Sequence, residues 1–118
     1  LKENLNLKEK KIKEKNQIFK DAMLLQDKGV FSIVLECVET TLAKQITKSL
    51  KIPTIGIGSS QNCDGQILVI DDLIGLNETK IKFVKKFGRV KINITQAARN
   101  FKKEVISKKY PTKKYSYN

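Results

Sequence analysis

The sequence predicts an α/β protein in which parallel strands alternate with helices. Three observations carry that reading. "VFSIVLE" (residues 30–36), "PTIGIG" (53–58) and "QILVID" (66–71) are short apolar runs rich in β-branched residues, of strand rather than helix length. Between the first two, "TTLAKQITKSL" (40–50) places Leu42, Ala43, Ile46 and Leu50 on one face at a 3.6-residue period. Strands buried on both faces and separated by helices form parallel βαβ units. Three such strands leave two open edges and apolar side chains on both sides, and closure into a barrel removes those edges. A barrel is therefore the natural parent, and a chain that opens on Leu1 is expected to be a piece of a longer polypeptide.

Taken in order, residues 8–28 are lysine-rich, with Ile12, Ile18, Phe19, Ala22, Met23 and Leu24 supplying the apolar positions of a helix that Gly29 ends as its C′ residue. The first strand follows at 30–36. Thr40 or Thr41 can cap the second helix, and Pro53 stops it. After the second and third strands, "KIKFVKKF" (80–87) reads as a short amphipathic helix. "ITQAARNFKKEVISKK" (94–109) reads as a longer one, with Asn93 as N-cap and Ala97, Ala98, Phe101 and Val105 inward. "YPTKKYSYN" is a polar tail closed off by Pro111. There is neither a fixed-period repeat nor a Ser/Gly/Pro linker, so residues 1–118 are assigned to a single domain.

The formal charge of +12 is uneven. Residues 80–118 hold thirteen Lys or Arg against Glu104 alone, whereas residues 30–79 are net acidic. A basic tail admits a nucleic-acid-binding module as an alternative function. Against it, only Arg89 and Arg99 are arginines, the residue suited to bidentate phosphate and base contacts. Lys, Ile and Asn supply 44 of the 118 residues, and A/T-rich codons would produce that excess without any ligand. Cys37 and Cys63 lack zinc-ligand spacing and no histidine is present, so no transition-metal site is expected from this chain. Reduced thiols, no signal peptide and no span of membrane length give an expected cytoplasmic location and no membrane partner.

Function in parallel α/β folds gathers at the carboxyl ends of strands. The first strand ends at Glu36, which reads either as a catalytic base or as a capping or salt-bridged carboxylate. Glu39 reads as a partner for a helix dipole. The second strand ends in "GIGSSQNCDGQ", which fails as a dinucleotide fingerprint because Gln61 stands where the third glycine belongs. It fails as a Walker loop because no Gly-Lys-Ser/Thr follows. An anion-holding turn and a plain tight turn both remain open for it. Asp71 and Asp72 would point to opposite sides of a strand and could not chelate one ion together.

"VLECV", "LAKQIT", "IPTIGIG", "DGQILV", "KFVKKF", "AARNFKKEV" and a late "YP" occur in one order and spacing. Together they resemble the C-terminal half of the ketopantoate hydroxymethyltransferase family, over about Lys20 to Tyr117. The resemblance implies a (βα)8 TIM-type barrel, of which this chain would carry roughly the last three βα units. Residues 1–29 would precede the sixth strand, 30–79 would hold strands six to eight, and 80–118 would hold C-terminal helices and a basic tail. It implies transfer of a hydroxymethyl group from 5,10-methylenetetrahydrofolate to 3-methyl-2-oxobutanoate, giving 2-dehydropantoate for pantothenate and coenzyme A synthesis. Glu36 matches the family's proposed base. Mg²⁺ would be held by ligands outside this chain, and a homo-oligomer is expected. No metal-ligand role is carried onto Asp64, Asp71 or Asp72, and the folate contacts are not assigned to any residue. The departures are Ser59-Ser60 where the family reads Ala-Gly, Glu39 where a proline is common, and Tyr115 near a frequent histidine. An inert, truncated relic of the enzyme is the other reading of the same resemblance.

Overall fold

Helix α1 spans Lys2–Asp27, six residues further toward the N-terminus than predicted. The computed structural model describes the backbone of residues 2–117 and the side chains of residues 6–117; Leu1 and Asn118, the ends of the predicted segments, lie outside it. Straight-chain residues of good helix propensity fill the first half of α1, which is exposed from residue 6 onward. Among the described side chains, its later turns pack inward, through buried Ala22 with Phe19 and Met23. The helix stops as predicted. Gly29 sits at φ +91°, its N–H donates to the Gln26 carbonyl, and the Val30 N–H donates to the Leu25 carbonyl. This is the paired-carbonyl closure that a left-handed C′ residue permits.

The chain forms two compact units, Leu1–Leu68 and Val69–Asn118. In the first, β1 (Ile33–Glu36), β2 (Thr54–Ile57) and β3 (Gly65–Gln66) make a parallel sheet in the order β1-β2-β3. Helix α2 (Thr40–Ser49) connects β1 to β2 and lays its predicted stripe against the sheet. Leu42, Ala43 and Ile46 are buried with Ile33, Leu35, Leu50 and Cys63 in one core. Thr47 and Thr54 share a 2.8 Å hydrogen bond beneath it, and Thr54 also takes part in bonds to Asp64 at its amide.

Two strand expectations are corrected. β1 is buried on one face only: Ile33 and Leu35 point to the core, while Val34 is 55% exposed and Glu36 is exposed beside it. The third strand, expected over 66–71, is reduced to Gly65–Gln66, paired through Ile55↔Gly65 and Gly56↔Gln66. One more bond follows, from the Ile67 N–H to the Gly56 carbonyl. β2 then ends at Ile57 and turns away at Gly58, at φ +59°, so the ladder has no further partner. Asp71 and Asp72 are accordingly helical rather than in strand geometry.

The second unit holds α3 (Ile70–Leu73), α4 (Val90–Ile106) and a 3-10 turn at Lys113–Tyr115. After α3, Gly75 lies at φ +74° and the Leu76 N–H closes onto the Asp71 carbonyl. No helix forms over 80–87. A helix there would bond the Phe87 N–H to the Phe83 carbonyl; instead the Phe87 and Gly88 N–H groups donate to the Leu73 carbonyl and Val90 to that of Ile74. The competing bonds hold the end of the segment out of a helix. α4 starts four residues before the predicted Ile94. The Arg89 carbonyl takes the Ile92 and Asn93 N–H groups, so Asn93 is inside the first turn and not the cap. The helix ends at Ile106, where Lys108 takes the left-handed closing position at φ +57°. The face expected to point inward is exposed, and α4 buries no residue. The tail is less purely polar than predicted: the Tyr110 ring meets Phe101 edge-on at 5.6 Å and Tyr115 at 6.0 Å.

Candidate active site at the strand ends

Glu36 is the last residue of β1, in register with Ile57, the last of β2. Period-two alternation sends it, with Val34, to the sheet face away from α2. Its carboxylate is exposed there. Immediately after it the backbone turns sharply. Cys37 adopts φ +53°, and its N–H donates to the Ile57 carbonyl at 3.0 Å. The Ser59 hydroxyl donates to the Val38 carbonyl at 2.9 Å. The loops leaving the two strands are thus joined directly.

The rest of the glycine- and serine-containing turn is a packed structure. Ser60 is fully buried, and its Oγ accepts from the Asn62 amide and Nδ2, both at 3.1 Å. Its carbonyl accepts from Gln66 Nε2 at 2.7 Å. Gln66 folds back over Gly56, where a Cβ would stand 2.9 Å from the amide group. The left-handed non-glycine residues among those described are Cys37 and Lys108, so a residue with a side chain meets no positive φ at position 60. The backbone there accommodates serine.

Glu39 lies three residues beyond Glu36 and caps α2, accepting from the Thr41 amide at 3.3 Å and the Leu42 amide at 3.2 Å. This fits its reading as a helix-dipole partner, and it replaces Thr40 and Thr41 as the cap. Lys15 pairs with it at 3.1 Å. That ammonium, then burial in the opposite sense, then the Leu42 and Thr41 amides act on its pKa, with a net lowering from the ordinary 4.5. A folded pKa below the unfolded one gives stability that is complete above about pH 4.5 and is lost as pH falls through the lower folded value. Glu39→Gln is therefore expected to flatten the acid side of the α2 unfolding profile, measured by helix circular dichroism against pH. An unchanged acid limb would show that the cap contributes nothing.

The other acidic candidates are committed elsewhere. Asp64 Oδ2 accepts from the Thr54 amide at 2.9 Å, at the opposite end of β2 from Glu36. Asp72, in the second unit, is buried and accepts from Asn77 Nδ2 at 3.2 Å. No group of three or more Cys, Asp or Glu that could hold a metal ion occurs among the described residues. These side chains do not fit a divalent-ion site of their own. A groove of about 530 Å³ lies between α1 and α2, lined by Ile12, Lys15, Phe19, Glu39 and Leu42. It is on the helical side of the sheet, away from the Glu36 face. Strand polarity places Glu36 at the end of β1, whereas the residue types Ser59-Ser60 do not say which hydroxyl turns toward the neighbouring loop. No helix among the described residues is long and apolar enough to cross a membrane.

Parallel strands linked by a helix, with a carboxylate at a strand's carboxyl end, define an α/β protein of the kind that meets small ligands along that edge. The ketopantoate hydroxymethyltransferase family model matches residues 3–113, so the match includes nearly all of the lysine-rich α1 and begins well before Lys20. The chain belongs to the ketopantoate hydroxymethyltransferase family. It is 59% identical over 114 residues to the 3-methyl-2-oxobutanoate hydroxymethyltransferase of Pelagibacter ubique (strain HTCC1062), covering 97% of this chain and 44% of that protein. The enzyme of the same name from Carboxydothermus hydrogenoformans (strain ATCC BAA-161 / DSM 6008 / Z-2901) is 44% identical over 109 residues, 92% of this chain and 40% of the relative. That from Pyrobaculum arsenaticum (strain DSM 13514 / JCM 11321 / PZ6) is 42% identical over 102 residues, 86% and 39% respectively. The chain spans about two fifths of the length of these relatives.

Proposed function

We propose that this chain is the C-terminal part of a (βα)8 barrel enzyme that transfers a hydroxymethyl group from 5,10-methylenetetrahydrofolate to 3-methyl-2-oxobutanoate, with Glu36 as the proton acceptor. The observation that supports this best is the position of Glu36. It is an exposed carboxylate at the carboxyl end of β1, on the sheet face away from α2. In a barrel that face is the interior and that edge is the rim where active sites assemble. Exposed Val34 on the same face belongs to the same reading.

The keto acid carries one hydrogen on the carbon next to its ketone. A carboxylate at Glu36 takes that proton and the C–H electron pair becomes the enolate. Water releases the one-carbon unit from the donor's two nitrogens at the formaldehyde level, leaving tetrahydrofolate. The enolate carbon adds to that carbonyl carbon, whose oxygen takes up a proton to become the product hydroxyl. General-base help of this kind contributes about 10²- to 10⁴-fold to rate. Family membership implies Mg²⁺ as well as the folate co-substrate; the ion would be held by residues outside these 118. The test isolates the proton step. The full-length polypeptide, incubated with 3-methyl-2-oxobutanoate in D₂O without folate, should exchange the C3 hydrogen, and Glu36→Gln should abolish that exchange. Exchange at an unaltered rate in the variant removes Glu36 from the mechanism.

A further inference from the structure

We infer that Asp72 binds the amidine edge of the folate donor's pterin ring, where a ring N–H stands beside the 2-amino group; the inference rests on the transfer reaction proposed above. Asp72 is 8% exposed, the one carboxylate among the described side chains that is buried. A carboxylate is costly to bury unless its charge is matched. The Val69–Asn118 unit holds thirteen Lys or Arg, yet brings none of them to it. The ion pairs among the described residues are Lys15–Glu39 and Lys91–Glu78. The hydrogen bond that Asp72 does receive, from Asn77 Nδ2 to Oδ1 at 3.2 Å, comes from a neutral group and fills one of about four acceptor sites. An amide or a hydroxyl would accept that bond without a buried charge. The charge calls for a further donor that the described residues do not supply. Of the two substrates, one supplies it. 3-Methyl-2-oxobutanoate is an anion that carries acceptors only, so a carboxylate repels it. The pterin ring presents its N3–H and 2-amino group side by side, a parallel donor pair that one carboxylate accepts with both oxygens. In chain order Asp72 comes shortly after β3, and in barrels the segments that follow strands carry the ligand contacts.

Because C3-hydrogen exchange needs no folate, it separates a donor-binding role from a structural one. In the full-length polypeptide, Asp72→Asn is expected to weaken binding of 5,10-methylenetetrahydrofolate by about ten- to a hundredfold. Folate-free exchange and KM for the keto acid should stay as they are. A donor whose 2-amino group is replaced by methyl supplies the second arm. The unaltered protein should bind it less tightly than the natural donor by a similar factor, and Asp72→Asn should scarcely distinguish the two. Normal donor affinity in Asp72→Asn overturns the inference. So does a parallel loss of folate-free exchange, which would give Asp72 a structural or keto-acid role. Equal discrimination between the two donors with and without the carboxylate also overturns it, and leaves a residue outside this chain as the partner of Asp72. If Asp72→Asn does not fold, the unaltered protein still decides: equal affinity for both donors sinks the assignment. Where turnover is normal and only these donor tests fail, this inference alone falls. A full-length polypeptide that neither exchanges the C3 hydrogen nor binds the donor would remove the proposed function and this inference with it.

Discussion

Glu36→Gln is expected to lower turnover of the full-length polypeptide by about 10²- to 10⁴-fold and to leave KM for the keto acid close to its unaltered value. The amide matches the carboxylate in size and keeps an oxygen that accepts hydrogen bonds, so substrate contacts change little. In the proposed role, what should disappear is the ability to take a proton from carbon. A loss confined to kcat places the group in the transition state rather than in binding. The substituted position is at the end of β1, where Glu36 is exposed and packs into no core, so the fold has no reason to respond. Steady-state kinetics with both substrates, beside a melting curve, decides the matter. Normal turnover, or a loss that appears wholly in KM, removes Glu36 as the base.

The second large effect is structural. Gly75→Ala is expected to destabilise the Val69–Asn118 unit by about 2–5 kcal/mol, from a left-handed residue at about 1–2 and overpacking at about 1–3. Gly75 holds φ +74°, and an added Cβ would stand 2.2 Å from the Gly88 carbonyl oxygen, a backbone atom that cannot swing aside. The bonds at risk are those from Phe87, Gly88 and Val90 to the carbonyls of Leu73 and Ile74. Their amides should exchange faster in the variant. Gly29→Ala is the control, since Gly29 has φ +91° with nothing within 4 Å of a new Cβ. It pays the conformational cost without the clash. Equal effects from the two substitutions would show that the contact with Gly88 does not matter.

The parts of the fold visible in the sequence are those where one periodicity had no competitor. The stripe Leu42, Ala43, Ile46 gave α2, and Gly29 marked the end of α1, because burial and a left-handed stop leave few alternatives. Residues 66–71 misled for a physical reason. A β-branched run looks the same whether it pairs or lies on a surface, and Ile67, Val69 and Ile70 are each more than half exposed. Pairing depends on where β2 ends, which is a property of the partner and not of the run. The segment 80–87 has a helical pattern, but its last amide, that of Phe87, and those of Gly88 and Val90 just after it are claimed by the carbonyls of Leu73 and Ile74, more than ten residues earlier. Local reading cannot see that. The strand ends divide similarly: the place of Glu36 at the carboxyl end of β1 was legible from strand polarity alone, whereas the hydrogen bond from Ser59 to Val38 joins two loops 21 residues apart.

The distribution of chromophores and thiols makes the two units separately observable. With no tryptophan in the sequence, ultraviolet emission comes from Tyr110, Tyr115 and Tyr117, all in the Val69–Asn118 unit. Tyr110 meets Phe101 of α4 edge-on and Tyr115 packs beside Tyr110, so their signal follows that neighbourhood. The Leu1–Leu68 unit instead holds both sulfhydryls, Cys37 exposed and Cys63 buried. A thiol reagent should therefore titrate one equivalent at once and the second only at the rate at which the core around Cys63 opens. In a protein of these 118 residues, increasing denaturant would give one opening curve by reagent uptake and another by tyrosine emission. Coincident curves would mean that the units melt as one, and separated curves would give each its own midpoint.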